Sequence, residues 1–317
     1  MRETERVILF HRDLGGAGKP PLIVLHGLLG SSRNWQSTGA DLAARYHVYA
    51  LDLRNHGRSP HSAEMTFDAM AADVLEWMDA HGISRTALMG HSMGGKVAML
   101  VACRQPERVE RLVVVDVAPK DYELMGHSND FAALNELDLR TLQSRGEAEM
   151  RFEARVPSLG MRKFLATNLE RDPETNTWSW IVNLPVLTTT LPEMAKTSLG
   201  ASDCFGGPTL FVIGGKSRYV EPTDHAQILS CFPLAKFVVI AEARHNPHMD
   251  SRVEFVRAAG GGATSRGWAR CLRAVRVATA RGAGPRGAHN FTPVILAQLH
   301  WTERRVRIRA PLGSGCL

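Results

Sequence analysis

The 317-residue sequence contains no apolar run that approaches the roughly 18 residues of a membrane-spanning helix. Its N-terminal stretch MRETERVILFHRDLG is charged from the start and lacks the apolar core of a secretory signal peptide. Cysteine is scarce: five are present, an odd number, and none stands in a CxxC spacing. These absences argue against a membrane span, a disulfide framework and a zinc site. We therefore expect a cytoplasmic protein with reduced thiols and no bound metal.

Negative charge is almost missing from the C-terminal part of the chain. Residues 258–317 contain ten arginines, no lysine and one glutamate, whereas the formal net charge of the whole chain is only +6. The first 257 residues are therefore slightly acidic, and the basic balance says nothing about the partners of this main body. We predict that the tail, rich in Arg, Ala and Gly, is disordered or an aberrant product of a frame shift. We expect it to bind neither nucleic acid nor membrane.

What the first 257 residues do contain is an alternation of short β-branched runs with helical patterns, which predicts an α/β fold with a mostly parallel sheet. Several runs are apolar nearly throughout, as in strands that are covered on both faces. One helix has both end signals, with Thr66 as its N-cap and Gly82 after its last turn. The predicted strands are residues 7–11, 22–26, 48–52, 86–90, 111–116, 209–214 and 236–240.

The alternation stops between the fifth and sixth predicted strands. This stretch has several helix-like segments and the aromatic segment TNTWSWIVNL, but no strand–helix rhythm. An insertion of this length between two sheet strands predicts a cap over the sheet edge, where a binding pocket would form. The predicted organisation is a core (1–118 and 205–257), a cap insertion (119–204) and the basic tail (258–317).

Three glycines surround one serine in LMGHSMGGKVAML. Gly90, Ser92 and Gly94 form the pattern G-x-S-x-G, with a predicted strand before it and a helical pattern after it. In that context the pattern predicts a nucleophile elbow, in which a strained turn exposes the serine hydroxyl at the carboxyl end of the sheet. The alternative is an ordinary serine that caps a glycine-rich helix start. The flanking strand and helix favour the nucleophile.

A serine hydroxyl is a weak nucleophile, so it needs a basic histidine and an acid that orients this histidine. His245 follows the last predicted strand and therefore lies at the same sheet edge as Ser92, which makes it the expected base. His248 is expected to form a pocket wall or a hydrogen-bonded interior residue. The other histidines after Ser92 lie in the cap, in a helical stretch or in the tail: His127, His225, His289 and His300.

The acid is less clearly marked in the sequence. Asp116 ends the run RLVVVD, and an ionised carboxylate after three valines is costly to bury unless a partner such as His245 compensates it. A more common place for the acid is the loop after the next-to-last strand, but there Ser217 stands instead of an aspartate. We favour Asp116, and Glu221 and Asp224 remain alternatives.

An acyl-transfer site also needs donors for the developing oxyanion. In LIVLHGLLGSSRNW a strand is followed by HG and a loop, which points the N–H groups of Leu28 and of Met93, the residue after the nucleophile, at the substrate oxygen. One such donor is worth about 10²–10³ in rate. The alternative is a plain strand-to-helix turn.

The stretch RNHG contains two more polar side chains, Arg54 and His56. It follows a predicted strand and precedes a glycine and a proline. We interpret it as a structural turn that shapes the sheet edge, with substrate contact as the alternative.

Taken in order, HGLLGSSRNW, LDLRNHGRSPH, GHSMGGK, VVVDVAP and LFVIGGKSRYV form a highly specific set. Over about residues 5–257 the chain resembles an α/β-hydrolase of the esterase branch that includes the abhydrolase domain-containing protein eleven group and its small bacterial relatives. The resemblance implies hydrolysis of a small-molecule acyl ester, or of an acyl thioester, through an acyl-enzyme and without cofactor or metal. It matches nucleophile, acid, base and the two oxyanion donors to Ser92, Asp116, His245, Leu28 and Met93.

Two features depart from this family. Arg244 stands where the family usually has a glycine before the catalytic histidine, which predicts an altered turn. The final helix begins with SRVEFVRA and is stopped by a triple glycine.

Other activities share this serine arrangement. Cofactor-free haloperoxidases and C–C hydrolases or lyases keep the same triad, and a hydrolase-fold receptor for a small ligand can keep it too. Epoxide and halide chemistry uses an aspartate at the elbow, so Ser92 argues against it.

Overall fold

Nine strands form two sheets in the computed structural model, which describes residues 7–123 and 125–260. The strands are β1 (His11–Asp13), β2 (Pro21–Leu25), β3 (His47–Leu51), β4 (Thr86–His91), β5 (Val109–Val115), β6 (Leu169–Arg171), β7 (Trp178–Trp180), β8 (Thr209–Gly214) and β9 (Ala235–Ile240). The main sheet has the order β1-β3-β2-β4-β5-β8-β9, and β6 and β7 pair separately. In the main sheet only β1 runs antiparallel to its neighbour. The predicted α/β-hydrolase fold with a mostly parallel sheet is confirmed.

The first predicted strand is wrong in position. It was expected at residues 7–11, but of these only His11 belongs to β1. Ile8 is 71% exposed between two buried neighbours, so the alternation in the sequence reflects burial against the core. The sheet reaches this stretch through one bond, from Asp52 N–H to Phe10 O (2.9 Å). The other six predicted strands are present with ends shifted by no more than two residues.

Helices cover both faces of the main sheet. Their bounds are α1 (Gln36–Leu42), α2 (Phe67–Ala80), α3 (Met93–Arg104), α4 (Met125–Glu136), α5 (Arg145–Arg151), α6 (Leu159–Ala166), α7 (Leu184–Ala195), α8 (His225–Cys231), α9 (Pro247–Asp250) and α10 (Arg252–Ala259). Buried residues of α2, α3 and α8 join one apolar cluster, and those of α1 and α10 join the cluster on the opposite face. Every residue of β4 and of β8 is buried, as expected for strands covered on both faces.

Helix α2 shows why its ends were predictable. The Thr66 hydroxyl accepts a hydrogen bond from Ala69 N–H (3.1 Å), which satisfies an otherwise unpaired donor of the first turn. Gly82 has a φ of +64°, a conformation that glycine adopts without steric cost. Both predicted end signals are confirmed.

The chain between β5 and β8 contains four helices, α4 to α7, and the β6–β7 hairpin. The aromatic segment of the sequence supplies β7, and this hairpin was not predicted. Lys96 links α3 to the end of this segment. Its ammonium group donates to Met194 O (3.1 Å), Ala195 O (2.9 Å) and Lys196 O at the end of α7. Burial lowers the pKa of Lys96 to about 8. The three carbonyl groups replace the water that this buried ammonium group loses.

The last described helix, α10, ends at Ala259 as the triple glycine predicted. Its Phe255 is fully buried against the sheet, and Arg45 donates to Gly260 O (2.6 Å). The predictions for the basic tail beyond Gly260 lie outside the described residues.

Candidate active site

A strained serine joins β4 to α3. Ser92 has φ +51° and ψ −117°, and its N–H donates to Val115 O at the end of β5 (3.1 Å). The turn is possible because its neighbours are glycines: a Cβ on Gly90 would lie 2.1 Å from the Gly94 carbonyl oxygen. A residue held in this backbone region stores strain that the surrounding structure must support. This is the geometry of a nucleophile elbow at the carboxyl end of the sheet.

Asp116 follows β5 directly and is fully buried. Its φ is +52°, so the chain turns sharply as the strand ends. Its Oδ2 accepts from His245 Nδ1 (2.9 Å) and from the Ser217 hydroxyl (2.5 Å), and its Oδ1 accepts from Gly214 N–H (2.9 Å). Three donors compensate the loss of water around the carboxylate, which explains how it can follow three valines into the interior.

The two alternative acids lie elsewhere. Asp224 forms an ion pair with Lys120 (2.7 Å) and accepts from Glu221 N–H (2.8 Å) at the start of the turn before α8. Glu221 is exposed. The structure therefore brings Asp116, and neither of these carboxylates, into contact with His245.

His245 lies in the loop after β9. Its Nδ1 lies on Asp116, which makes Nδ1 the protonated nitrogen and leaves Nε2 as the proton acceptor. One face of its ring stacks on Tyr219, with ring centroids 3.6 Å apart. Its backbone oxygen is held by His91 Nε2 (2.7 Å).

The residue before Ser92 lies against this imidazole. The His91 ring lies 4.7 Å from the His245 ring, measured between centroids. Within residues 7–123 and 125–260, no hydrogen bond joins the Ser92 hydroxyl to His245. Such contacts are often long without substrate and tighten in the reacting complex.

The loop after β2 carries Leu28, one of the two predicted oxyanion donors. Gly30 N–H donates to Gly27 O (2.9 Å), and Leu29 has a φ of +59°. In the described chain the Leu28 N–H has no acceptor. Met93 is the first residue of α3, so its N–H has no acceptor inside the helix. Neither predicted donor is thus used by the described backbone, as the oxyanion prediction requires.

Two buried histidines form hydrogen bonds in and next to the oxyanion loop. His56 Nε2 accepts from Leu29 N–H (3.3 Å), and His26 Nε2 accepts from Leu53 N–H (3.0 Å). Burial lowers the pKa of His56 to about 3 and also lowers the pKa of His26, so both rings stay neutral and keep an accepting nitrogen. The RNHG stretch thus acts as the structural turn that we expected.

Arg54 in the same stretch forms a two-pronged ion pair with Asp73 of α2, at 2.6 and 2.7 Å. Both side chains are buried. The guanidinium is therefore engaged in the interior and does not face a substrate.

Two residues near the base were not predicted to act there. Ser217 occupies the usual position of the acid and donates to Asp116 instead of replacing it. Tyr219, two residues on, covers the His245 ring and bonds through its hydroxyl to His127 Nε2 (3.1 Å). Ser217 had a signal, since a hydroxyl stood where a carboxylate was expected. Tyr219 had none, because ring stacking depends on the path of the loop.

Arg244 fits the turn before His245 without a positive φ. Its N–H donates to Asp250 Oδ2 (2.9 Å), and its side chain is exposed. The backbone at this position therefore does not need a glycine, and whether the turn differs from that of relatives stays a prediction.

No group of three or more His, Cys, Asp or Glu side chains that could hold a metal ion is found among the described residues. In the same part of the chain, no helix is long and apolar enough to cross a membrane.

A mostly parallel sheet with a strained serine, a buried carboxylate and an imidazole along its carboxyl edge defines an enzyme of the α/β-hydrolase class. The profile of the alpha/beta hydrolase fold matches residues 20–251. The chain belongs to this family, and the resemblance inferred from the sequence motifs is confirmed.

Individual lipases and esterases are also similar to this chain. The sn-1-specific diacylglycerol lipase ABHD11 of Mus musculus is 37% identical over 251 residues, covering 77% of this chain and 81% of that protein. Esterase YbfF of Escherichia coli (strain K12) is 33% identical over 238 residues, covering 75% and 91%. The solved structure of a marine microorganism esterase matches with a TM-score of 0.77 at 33% identity, covering 80% of this chain and 98% of that one.

Proposed function

We propose that this carboxylester hydrolase works through an acyl-enzyme on Ser92. The hydroxyl attacks the acyl carbon while His245 Nε2 takes its proton, and Asp116 holds the imidazole in the correct tautomer and stabilises the imidazolium. The N–H groups of Leu28 and Met93 stabilise the oxyanion. The leaving alcohol takes the proton from His245, and water then repeats the sequence on the acyl-enzyme.

One observation carries this assignment. The 2.9 Å bond from His245 Nδ1 to a carboxylate buried at the end of β5 lies beside a serine in a strained turn at the end of β4. A buried ion of this kind is costly, and a turn of this kind is strained, so a purely structural role would leave both costs without a benefit.

The proposed substrates are small-molecule carboxylic esters, with acyl thioesters as a second group for testing. The name of the mouse relative adds diacylglycerols to the esters worth testing. The same acyl-enzyme chemistry serves all three, because each presents a carbonyl carbon with a leaving oxygen or sulfur.

We also propose that residues 119–204 act as a cap on the core formed by 1–118 and 205–257. The buried Asn168 of this segment supports the proposal, since its side chain donates to Leu29 O in the oxyanion loop (3.0 Å). A cytoplasmic location is part of the proposal too. The free thiols of Cys103, Cys204 and Cys231 support it.

The test is labelling by a fluorophosphonate together with turnover of 4-nitrophenyl esters, in the wild type and in Ser92→Ala. We expect the variant to fold, to lose labelling and to lose turnover. Circular dichroism and the melting temperature provide the folding control. Labelling retained in Ser92→Ala would refute the assigned nucleophile, and a single slow acylation without turnover in the wild type would favour a receptor.

A further inference from the structure

A cavity of about 680 Å³ lies next to the candidate active site. Its walls come from the stretch 31–38 that follows the oxyanion loop, from residues 248–252, and from Arg145 and Thr167 in the segment between β5 and β8. Ser92, Asp116 and His245 do not line it. Its volume falls within the range of about 300–1,000 Å³ that is typical of small-molecule pockets.

The lining of this cavity carries positive charge only. Three arginines line it, Arg33, Arg145 and Arg252, and no acidic residue does. Ser31, Ser37 and Thr167 add hydroxyl groups. Each arginine comes from a different part of the fold, so the charge is brought together by the tertiary structure.

Two of these guanidinium groups have no carboxylate partner within the described chain. Arg145 is anchored by its Nε and Nη2, which donate to Leu169 O (3.2 and 2.7 Å), and it lies over the Trp178 ring. No described carboxylate pairs with Arg33. Arg252 forms an ion pair with Asp41, whose Oδ2 lies 3.2 Å from the arginine Nε. Net positive charge therefore remains in the cavity.

His248 forms the wall nearest to the catalytic residues. It is buried, stacks on Trp35 with centroids 4.3 Å apart, and lies 4.8 Å from the ring of His91, the residue before Ser92. Burial and the neighbouring His245 lower the pKa of His248 to about 3, so it adds no charge. The cavity wall therefore contacts the residue before the candidate nucleophile.

We propose that this cavity binds the phosphate group of an organic molecule. Guanidinium groups match phosphate oxygens in two-pronged geometry, and phosphate carries enough charge to engage more than one of them. The cavity is much larger than a phosphate ion, so it has room for the organic part of the ligand. Arg145, from the segment between β5 and β8, and Arg33, beside the oxyanion loop, are the lining arginines without a described carboxylate partner, so they are the proposed phosphate ligands.

The ligand has two possible sources that share this chemistry. The phosphate is carried by the ester substrate itself, or it belongs to a separate phosphate compound that binds beside the site. The first source rests on the proposed esterase function, whereas phosphate binding itself does not.

Binding is tested with inorganic phosphate by isothermal titration at low ionic strength, because added salt screens such contacts. The full chain is compared with Arg33→Gln/Arg145→Gln and with Arg151→Gln. Arg151 lies on the same helix as Arg145 and pairs with Glu147 outside the cavity. We expect saturable binding that the double variant weakens at least about tenfold and the control leaves unchanged. Wild type without saturable binding, or a double variant that binds like the wild type, would overturn the proposal.

The source is decided with two 4-nitrophenyl esters, one with an acyl chain that ends in a phosphonate and one of equal length that ends in a methyl group. If the substrate carries the phosphate, the double variant loses about tenfold or more in kcat/KM on the phosphonate ester only. Equal effects on both esters, with phosphate binding lost, assign the cavity to a separate phosphate compound. If the wild type cleaves neither ester, the proposed function fails while the titration still decides the binding site.

Discussion

The phenol ring of Tyr219 lies on the imidazole ring of His245, with centroids 3.6 Å apart and an angle of 18° between the planes. Tyr219 is itself fixed at three points. Its N–H donates to the Ser217 hydroxyl (3.2 Å), its carbonyl oxygen accepts from the Tyr122 hydroxyl (2.8 Å), and its own hydroxyl bonds to His127 (3.1 Å). A fixed ring against one face of the imidazole limits its rotation away from Asp116.

Removing this ring should therefore misplace the base. We expect Tyr219→Ala to lower kcat by about tenfold to a hundredfold, because small errors in the position of a catalytic group are costly. Tyr219→Phe keeps the stacking face and should stay close to the wild type. The pH dependence of kcat/KM and the rate of fluorophosphonate labelling are the measurements. If Tyr219→Phe loses much of its kcat while its pH profile stays that of the wild type, the effect would be assigned to the hydroxyl bond with His127 instead.

The acid can be tested against a matched carboxylate. Asp116→Asn should lower kcat by roughly 10⁴, as the equivalent change does in the well-studied serine protease triad, because an amide favours the wrong imidazole tautomer. Asp224→Asn breaks an ion pair with Lys120 that is also largely buried, so it controls for loss of stability. We expect it to be mild. If Asp224→Asn lost its activity while Asp116→Asn stayed active, the acid would be misassigned.

Acid should destabilise the oxyanion loop through His56. Its pKa falls from 6.5 to about 3 on burial, so between these values the unfolded chain binds a proton that the folded protein does not. The free energy of unfolding must therefore decrease as the pH is lowered from 6.5 towards 3. His56→Gln removes this proton and should show a smaller decrease between pH 7 and pH 4 in urea unfolding.

The matched control is His81→Gln, which changes an exposed histidine at the end of α2. It should keep the acid sensitivity of the wild type. Equal pH dependence in all three proteins would mean that His56 is not the group that titrates.

The basic tail should be dispensable for catalysis. Every candidate catalytic residue precedes residue 246. Helix α10 ends at Ala259, and Arg45 donates a hydrogen bond to the carbonyl oxygen of Gly260 just after it. We expect a chain that ends at Gly260 to keep nearly unchanged kcat/KM and a similar melting temperature. A loss of activity on truncation would show that residues beyond 260 contribute to the site.

The fold class and the positions of the candidate nucleophile and base could be predicted from the sequence because their signals are local. Alternating strand and helix patterns determine the parallel sheet, and the glycines around Ser92 determine a tight turn between one strand and one helix. His245 could be placed at the same edge because the ends of parallel strands meet there.

The sequence favoured Asp116 as the acid but left Glu221 and Asp224 open, and only the tertiary structure shows which carboxylate contacts His245. Asp116 and His245 are 129 residues apart in the chain, and only the folded loops show that His245 turns to Asp116 and that Ser217 and Gly214 supply the remaining donors. The ring of Tyr219 on His245 and the three arginines of the cavity depended on the tertiary structure for the same reason. Stacking and shared charge arise between segments that no local pattern connects, so the amino-acid order determined which side chains were available and the packing of the loops decided which of them meet.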